Sequence, residues 1–380
     1  MADPSKCPPL TRQSVQEAHE KIKSDIHKTP VITCRTLDRI ASTNPADREI
    51  IGPPSTEDPP QNGASDAPSP KMRLFFKCEN MQRIGAFKAR GASHAMRRLI
   101  DERGIDDVRQ RGVCTHSSGN HAQALALAAA THNVAAHIVM PSSSIACKIA
   151  GTQRLGAHVL FCGPNSADRE ALAADVMQRT GAYMIPPCDH PDIILGAGTQ
   201  ALELEAQAAE QLPPGEALDA VVAAVGGGGM VSGICTALQG TGIRVFGAEP
   251  EFEGANDAER GLREGRRIER VATRTIADGL RSPVGGIPWT VMADPARLAG
   301  VFSVSEAQIC AALRLALERM KVVIEPSAAV PLAVVLFNER FRALVRARAG
   351  ERPWNVGVVL SGGNTTVDAI GELFARPAEG

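Results

Sequence analysis

The chain has 380 residues, 44% hydrophobic and 22% charged, with a formal net charge of −1 and 3% aromatic content. That is enough apolar chain for one large two-lobed domain or two domains, and the charge and aromatic content argue against nucleic acid or a membrane surface as partner. The start of the chain shows no secretory signal, and no apolar run approaches the roughly 18 residues that span a bilayer. Nine scattered cysteines without a Cys-x-x-Cys pair predict buried or free thiols rather than disulfides or zinc ligands, and hence a cytosolic protein.

Residues 41–70 carry seven prolines among small polar residues, a composition that predicts a flexible surface insertion. Beyond it, short apolar runs alternate with helical patterns. A strand is expected at Leu74–Lys77 and a helix at Ala86–Leu99, then strand Val113–Thr115 and helix Asn120–Thr131. Strand Ala136–Met140, a helix near Ile145–Leu155, strand His158–Phe161 and helices Ala167–Thr180 and Thr199–Gln211 follow. The pattern continues with strand Ala220–Val225, helix Met230–Leu238, strand Arg244–Ala248 and a helix through Glu259. Helices Ser305–Arg319 and Ser327–Arg348, strand Val356–Leu360 and a last helix after Asn364 complete it. Such alternation predicts an α/β architecture of open, mostly parallel sheets with helices on both faces and two lobes around a cleft.

Lysine usage marks one position. There are nine lysines against 32 arginines, and Lys88 lies in Gly85-Ala-Phe-Lys-Ala-Arg-Gly-Ala92, between a glycine turn and a helix start. A desolvated lysine, unlike an arginine, can lose its proton and condense with an aldehyde; a surface lysine is the ordinary alternative. Three further segments fall at strand-to-helix junctions, where α/β folds bind ligands. His116-Ser-Ser-Gly-Asn-His121 offers amides and a helix N-terminus to a carboxylate, or simple capping. Val225-Gly-Gly-Gly-Gly-Met230 permits several N–H groups to converge on a phosphate, or makes a tight turn; it matches neither the dinucleotide nor the triphosphate motif. Leu360-Ser-Gly-Gly-Asn364 is a weaker signal of the same kind.

Taken together, these four segments resemble, in order and spacing, the fold-type II pyridoxal-phosphate enzymes (tryptophan synthase β-like), and within them the serine racemase and serine/threonine dehydratase branch. Glu79-Asn80, Gly196-x-Gly-Thr199, Gly247-Ala-Glu-Pro250, Thr275-Ile-Ala-Asp-Gly279 and Glu325-Pro-Ser327 extend the likeness from about Thr29 to Asp368, the insertion excepted. The resemblance implies a large domain of residues 1–111 and 190–380, a small one of residues 112–189, and a homodimer.

It also implies roles. Lys88 would hold pyridoxal 5′-phosphate and move the substrate α-proton, with Phe87 near the ring and Asn120 bonded to the ring oxygen. Gly226, Gly227, Gly228, Gly229 and Met230 would bind the phosphate, and Ser361 would face the pyridine nitrogen. Ser117, Ser118, Asn120 and His121 would hold the carboxylate of a small amino acid, Ser118 also serving as acid and base on the face opposite Lys88. Arg169 and Ser282 match positions near the substrate, although Arg169 equally suits a helix surface. Glu249, Ala255 and Asp257 match a magnesium or calcium site, yet the loop Glu251–Gly254 is about two residues longer than the family's; a solvated acidic loop is the alternative. Arg83-Ile84 and Ala86 also depart from the family, the former where animal serine racemases bind ATP. The activity implied is dehydration or racemisation of serine, threonine or 3-hydroxyaspartate. A β-replacement synthase and a non-catalytic phosphate-binding protein are the rivals.

Overall fold

The structure is a computed structural model that describes residues 3–43, 69–117, 119–144, 146–163, 166–348, 350 and 352–375. The proline-rich stretch expected to be a flexible insertion falls mostly outside these residues, and so does Ser118.

Helices α1 (Arg12–Ile22) and α2 (Arg35–Ala41) flank the short strand β1 (Val31–Ile32). Strand β2 (Met72–Cys78) leads through two tight turns to α3 (Lys88–Arg103) and α4 (Ile105–Arg111). The alternating region follows: β3 (Val113–His116), α5 (Asn120–Thr131), β4 (Ala136–Pro141), α6 (Ala146–Arg154), β5 (His158–Cys162), α7 (Ser166–Thr180) and β6 (Tyr183–Met184). Next come α8 (Pro191–Ala209), β7 (Ala220–Ala224), α9 (Gly229–Ala237), β8 (Arg244–Pro250), α10 (Asp257–Glu264) and α11 (Gly286–Met292). Strand β9 (Gly300–Val304), α12 (Glu306–Leu315), α13 (Pro326–Phe337), α14 (Glu339–Arg348), β10 (Trp354–Leu360) and α15 (Val367–Ala375) end the order.

Among the described residues ten strands make two sheets, ordered β1-β2-β10-β7-β8-β9 and β5-β4-β3-β6. Only β1 runs antiparallel, against β2. Strands β7 and β10 are buried along their whole length, as parallel strands covered by helices on both faces must be. The chain is therefore an α/β protein of the expected kind. All four strands of the second sheet lie between Val113 and Met184.

Helix α3 joins the two sheets. Ala92, Ala95, Met96 and Leu99 pack with Val113, Ile138 and Leu125 under the smaller sheet. Arg90, fully buried, ties the same helix to the larger one: its guanidinium donates to both oxygens of Glu79 at 2.7 and 2.8 Å and to both of Glu203 at 2.8 Å. Lys77 adds a bond to Glu203 at 2.6 Å. Removing one member would leave a buried uncompensated charge, a loss of about 3–5 kcal/mol in comparable networks.

Candidate active site

Four chain segments leave the carboxyl ends of parallel strands β2, β3, β7 and β10 and meet in one place, the position where open α/β sheets bind ligands. After β2 the backbone turns at Ile84 (φ 58°) and Gly85 (φ 69°). Positive φ is unusual for a β-branched residue. At Gly85 glycine is needed twice over, because a Cβ would also lie 2.8 Å from the Asn364 side-chain oxygen. The turn is latched by β10's continuation: Phe87 N–H donates to the Ser361 carbonyl at 3.0 Å, and Gly363 N–H to the Gly85 carbonyl at 2.9 Å.

Lys88 is the first residue of α3. Its Nζ donates to the Pro187 carbonyl at 2.7 Å and stands 5.1 Å from the centre of the Phe87 ring. Burial pulls its pKa below the usual lysine range, with Cys188 opposing slightly. The positive end of the helix dipole adds to the preference for a neutral amine there.

On the β3 side, Ser117 N–H donates to the Val139 carbonyl at 3.0 Å, and its hydroxyl accepts from Gly119 N–H at 3.3 Å. Asn120 opens α5; its amide nitrogen donates to Glu325 at 2.6 Å and its oxygen accepts from Asn364 at 2.8 Å. Asn364 also donates to the Ile84 carbonyl at 2.8 Å, so one side chain links the lysine turn to the serine-asparagine loop. His121 is buried against the Ile185 carbonyl at 3.1 Å. Burial, and then Lys88, push its pKa down to about 3. A neutral ring with Nε2–H on that carbonyl has no second N–H for a carboxylate, which leaves the His121 backbone amide, in the first turn of α5, as the group able to serve.

The glycine turn after β7 is closed from three sides. A Cβ on Gly227 would lie 2.3 Å from Cys188 Sγ, one on Gly226 3.0 Å from the Gly279 carbonyl, and one on Gly228 (φ 82°) 2.8 Å from Pro288. Only a bare backbone fits, and the first amides of α9 have no partners within the helix. Open N–H groups at a helix N-terminus beside a side-chain-free turn suit a phosphate.

These parts line a single cavity of about 1070 Å³. It gathers Phe87, Lys88, Ser117, Asn120, His121, Arg169, Gly226 to Met230, Ser282 and Ser361. Phosphate cradle, amine and buried hydroxyl of Ser361 together accommodate pyridoxal phosphate. The cavity also holds groups the sequence reading did not assign. Lys148 is buried with its ammonium on Asp278, and lies 3.9 Å from Glu325. Burial, with Asp278 adding, pushes Glu325 up to about 7 against the pull of Lys148. Lysine scarcity, the signal that marked Lys88, applies equally to Lys148. Cys188, between Lys88 and the glycine turn, and Arg267 and Arg270 at the wall carried no such signal.

Glu249, Ala255 and Asp257 lie outside this cavity, all buried. In the loop Glu251–Gly254, Glu253 (φ 50°) and Gly254 (φ 77°) form a turn, and Glu253 pairs with Arg274 at 2.6 Å. The Glu249 oxygens accept from the Ala258 and Glu259 amides at 3.0 and 2.9 Å, which holds the first turn of α10 against β8. Burial raises the pKa of both carboxyls, that of Asp257 to about 6 and that of Glu249, which also feels Asp257, well above its usual range. Two neighbouring buried carboxyls are oxygen donors of the kind a divalent cation takes.

A lysine beside a glycine phosphate cradle, at the carboxyl ends of parallel strands, defines the site of an enzyme that uses an aldehyde cofactor. The comparisons with known proteins agree. The family model described as pyridoxal-phosphate dependent enzyme matches residues 63–362. Serine racemase of Arabidopsis thaliana is 37% identical over 363 residues, covering 95% of each chain. The β-hydroxyaspartate dehydratase of Paracoccus denitrificans is 36% identical, covering 95% of this chain and 98% of its own. The structure of maize serine racemase superposes with a TM-score of 0.79 at 32% identity, covering 96% of both chains. The chain belongs to the family of pyridoxal-phosphate dependent enzymes.

Proposed function

We propose that the protein eliminates water from a small β-hydroxy amino acid, giving a 2-oxo acid and ammonia, and that racemisation at Cα competes. The observation that supports this most is the placement of Lys88 Nζ at 2.7 Å from Pro187 O, in the cavity that also holds the glycine cradle and Ser361. The similar proteins named for serine racemisation and β-hydroxyaspartate dehydration support the substrate class.

Pyridoxal phosphate, held by Lys88 and by the amides of Gly226 to Met230, supplies an electron sink for the substrate α-carbon. Lys88, kept basic enough to act yet easily neutral by burial, removes the α-proton. The resemblance assigns the second acid-base group, which inversion requires, to Ser118, a residue outside the described ones. Ser117, the first-turn amides of α5 and Asn120 hold the carboxylate, with Arg169 and Ser282 further along the wall. Ser361, a hydroxyl where a carboxylate would keep the ring nitrogen protonated, favours loss of the β-hydroxyl over transamination. Glu249, the Ala255 carbonyl and Asp257 would hold magnesium or calcium in a structural role. The reading includes a cytoplasmic homodimer with lobes 1–111 plus 190–380 and 112–189. That division is supported by the second sheet drawing its strands from Val113 to Met184. No helix among the described residues is long and apolar enough to cross a membrane.

Serine, threonine and 3-hydroxyaspartate, each assayed for 2-oxo acid and for the opposite enantiomer, provide the test. Ammonia is expected from at least one of them without any added nucleophile, and Lys88→Ala is expected to abolish both products together with the visible cofactor absorbance. Turnover only with an external thiol or amine would replace this reading by β-replacement. Full activity in Lys88→Ala would remove the lysine from its role.

A further inference from the structure

Outside the cavity lining, the fold brings three residues of metal-binding type together, Cys7 being remote in sequence from the other two. Cys7 follows the short turn Pro4–Lys6, and His190 and Asp192 sit at the start of α8. Cys7 Sγ lies 3.4 Å from Asp192 Oδ2 and 3.9 Å from His190 Nε2, and His190 Nδ1 lies 3.9 Å from Asp192 Oδ2. One ligand atom from each falls within 4.8 Å of the others. His190 and Asp192 are buried, and Cys7 is partly so.

We propose that Cys7, His190 and Asp192 form a binding site for a thiophilic divalent cation of the zinc type. Zinc takes thiolate, imidazole and carboxylate at about 2.0–2.3 Å in tetrahedral geometry, which spaces neighbouring ligand atoms about 3.5 Å apart. The observed 3.4 and 3.9 Å from Cys7 Sγ bracket that spacing, and the His190–Asp192 pair lies within 4.8 Å. Binding breaks the Cys7 S–H bond and releases that proton to solvent as the S–metal bond forms. Thiolate and carboxylate together then balance the two positive charges. At His190, Nδ1 now accepts from the Asp192 amide at 3.2 Å. Coordination through Nε2 requires the ring proton to sit on Nδ1, which then gives up its bond from the Asp192 amide.

The surroundings supply the outer partners such sites use. Arg98 reaches the other Asp192 oxygen at 3.4 Å, and the Asp192 carbonyl accepts from His94 Nδ1–H at 2.7 Å. The Asp3 carbonyl, 3.5 Å from Cys7 Sγ, is placed to supply a fourth oxygen; water is the other source. A cation here would clip residues 3–7 to the N-terminus of α8. The segment just before it, Pro186 to Asp189, lines the cavity. The site and its test stand independently of the catalytic reading.

The test uses the purified, cofactor-loaded protein freed of metal by a chelator and titrated with cadmium chloride, then with zinc chloride in competition. The expected result is about one equivalent of cadmium per chain, read by the ultraviolet thiolate-to-cadmium absorption and displaced by zinc. In Cys7→Ser that absorption should be lost and affinity should fall at least about 100-fold, while far-ultraviolet dichroism and cofactor colour persist. Asp192→Asn should weaken binding yet keep the thiolate absorption. Undiminished absorption in Cys7→Ser would place the metal on another of the nine thiols and overturn the assignment, as would a wild-type protein that takes up no cadmium at micromolar concentration.

Discussion

Glu325 shows how one side chain can report the electrostatics of the whole cleft. Its Oε1 accepts from Asn120 at 2.6 Å, while its Oε2 lies 3.9 Å from the Lys148 ammonium, which Asp278 already engages. The result is an acid that ionises near 7 in the folded protein instead of 4.5. Folding therefore favours the protonated form. Stability from this group is complete below about pH 4.5 and is lost as pH rises through about 7. Replacing it with glutamine keeps the acceptor for Asn120 and removes the proton. Urea denaturation from about pH 5 to about pH 8 should show wild type losing stability relative to Glu325→Gln as pH rises. Glu249, Asp257 and Glu306, also raised by burial, slope the same way in both proteins, so the difference isolates Glu325. A difference constant across that range would mean that Glu325 is ionised throughout.

At the scale of elements, the phosphate turn depends on how closely α9 approaches α8. A Cβ on Gly198 would lie 2.5 Å from the Gly233 carbonyl, and one on Gly233 2.4 Å from the Ile194 carbonyl. Gly196 faces α3 in the same way, at 2.7 Å from the Arg90 carbonyl. Helix α8 is thus the spacer between the lysine helix and the phosphate helix. Gly198→Ala has to push backbone from backbone, a loss of about 1–3 kcal/mol, and should also weaken pyridoxal phosphate binding, measured by cofactor titration of absorbance. Unchanged cofactor affinity would separate the contact from the turn.

These same glycines explain what the sequence conceals. The helix expected from Thr199 begins at Pro191 and carries Gly196 and Gly198 inside it, because tertiary contact overrides weak propensity. Helices expected as one span at Ser327–Arg348 break at Asn338, whose side chain is drawn away to the Ser303 carbonyl at 2.9 Å. Strand β9 and helix α1 carried no expectation at all. By contrast Asn120–Thr131 matches residue for residue, and the four loops of the cavity were legible because strand, small-residue turn and helix are adjacent in sequence. Partners such as Lys148 with Asp278, 130 residues apart, or Cys7 with Asp192, leave no local pattern.

At the scale of the molecule, the buried carboxyls of Glu249 on β8 and Asp257 at the start of α10 connect β8 to the cavity wall. Asp257 accepts from the Val284 amide at 3.1 Å, and Val284 stands next to Gly285, whose N–H donates to the Gly227 carbonyl at 3.2 Å. A divalent ion on Glu249, the Ala255 carbonyl and Asp257 would neutralise two carboxyls that burial otherwise holds against ionisation. Any ligand that binds only the folded state raises stability by mass action, about 2.7 kcal/mol at a hundredfold excess over its dissociation constant. Magnesium or calcium chloride should therefore raise the Tm of the wild type. Glu249→Gln, which keeps an acceptor for one of the two α10 amides, should have a Tm that these salts leave unchanged relative to sodium chloride at equal ionic strength. Equal cation responses in the two proteins would remove Glu249 from the ligand set. A cation-dependent Tm in wild type alone would place Glu249 among the groups that hold the ion.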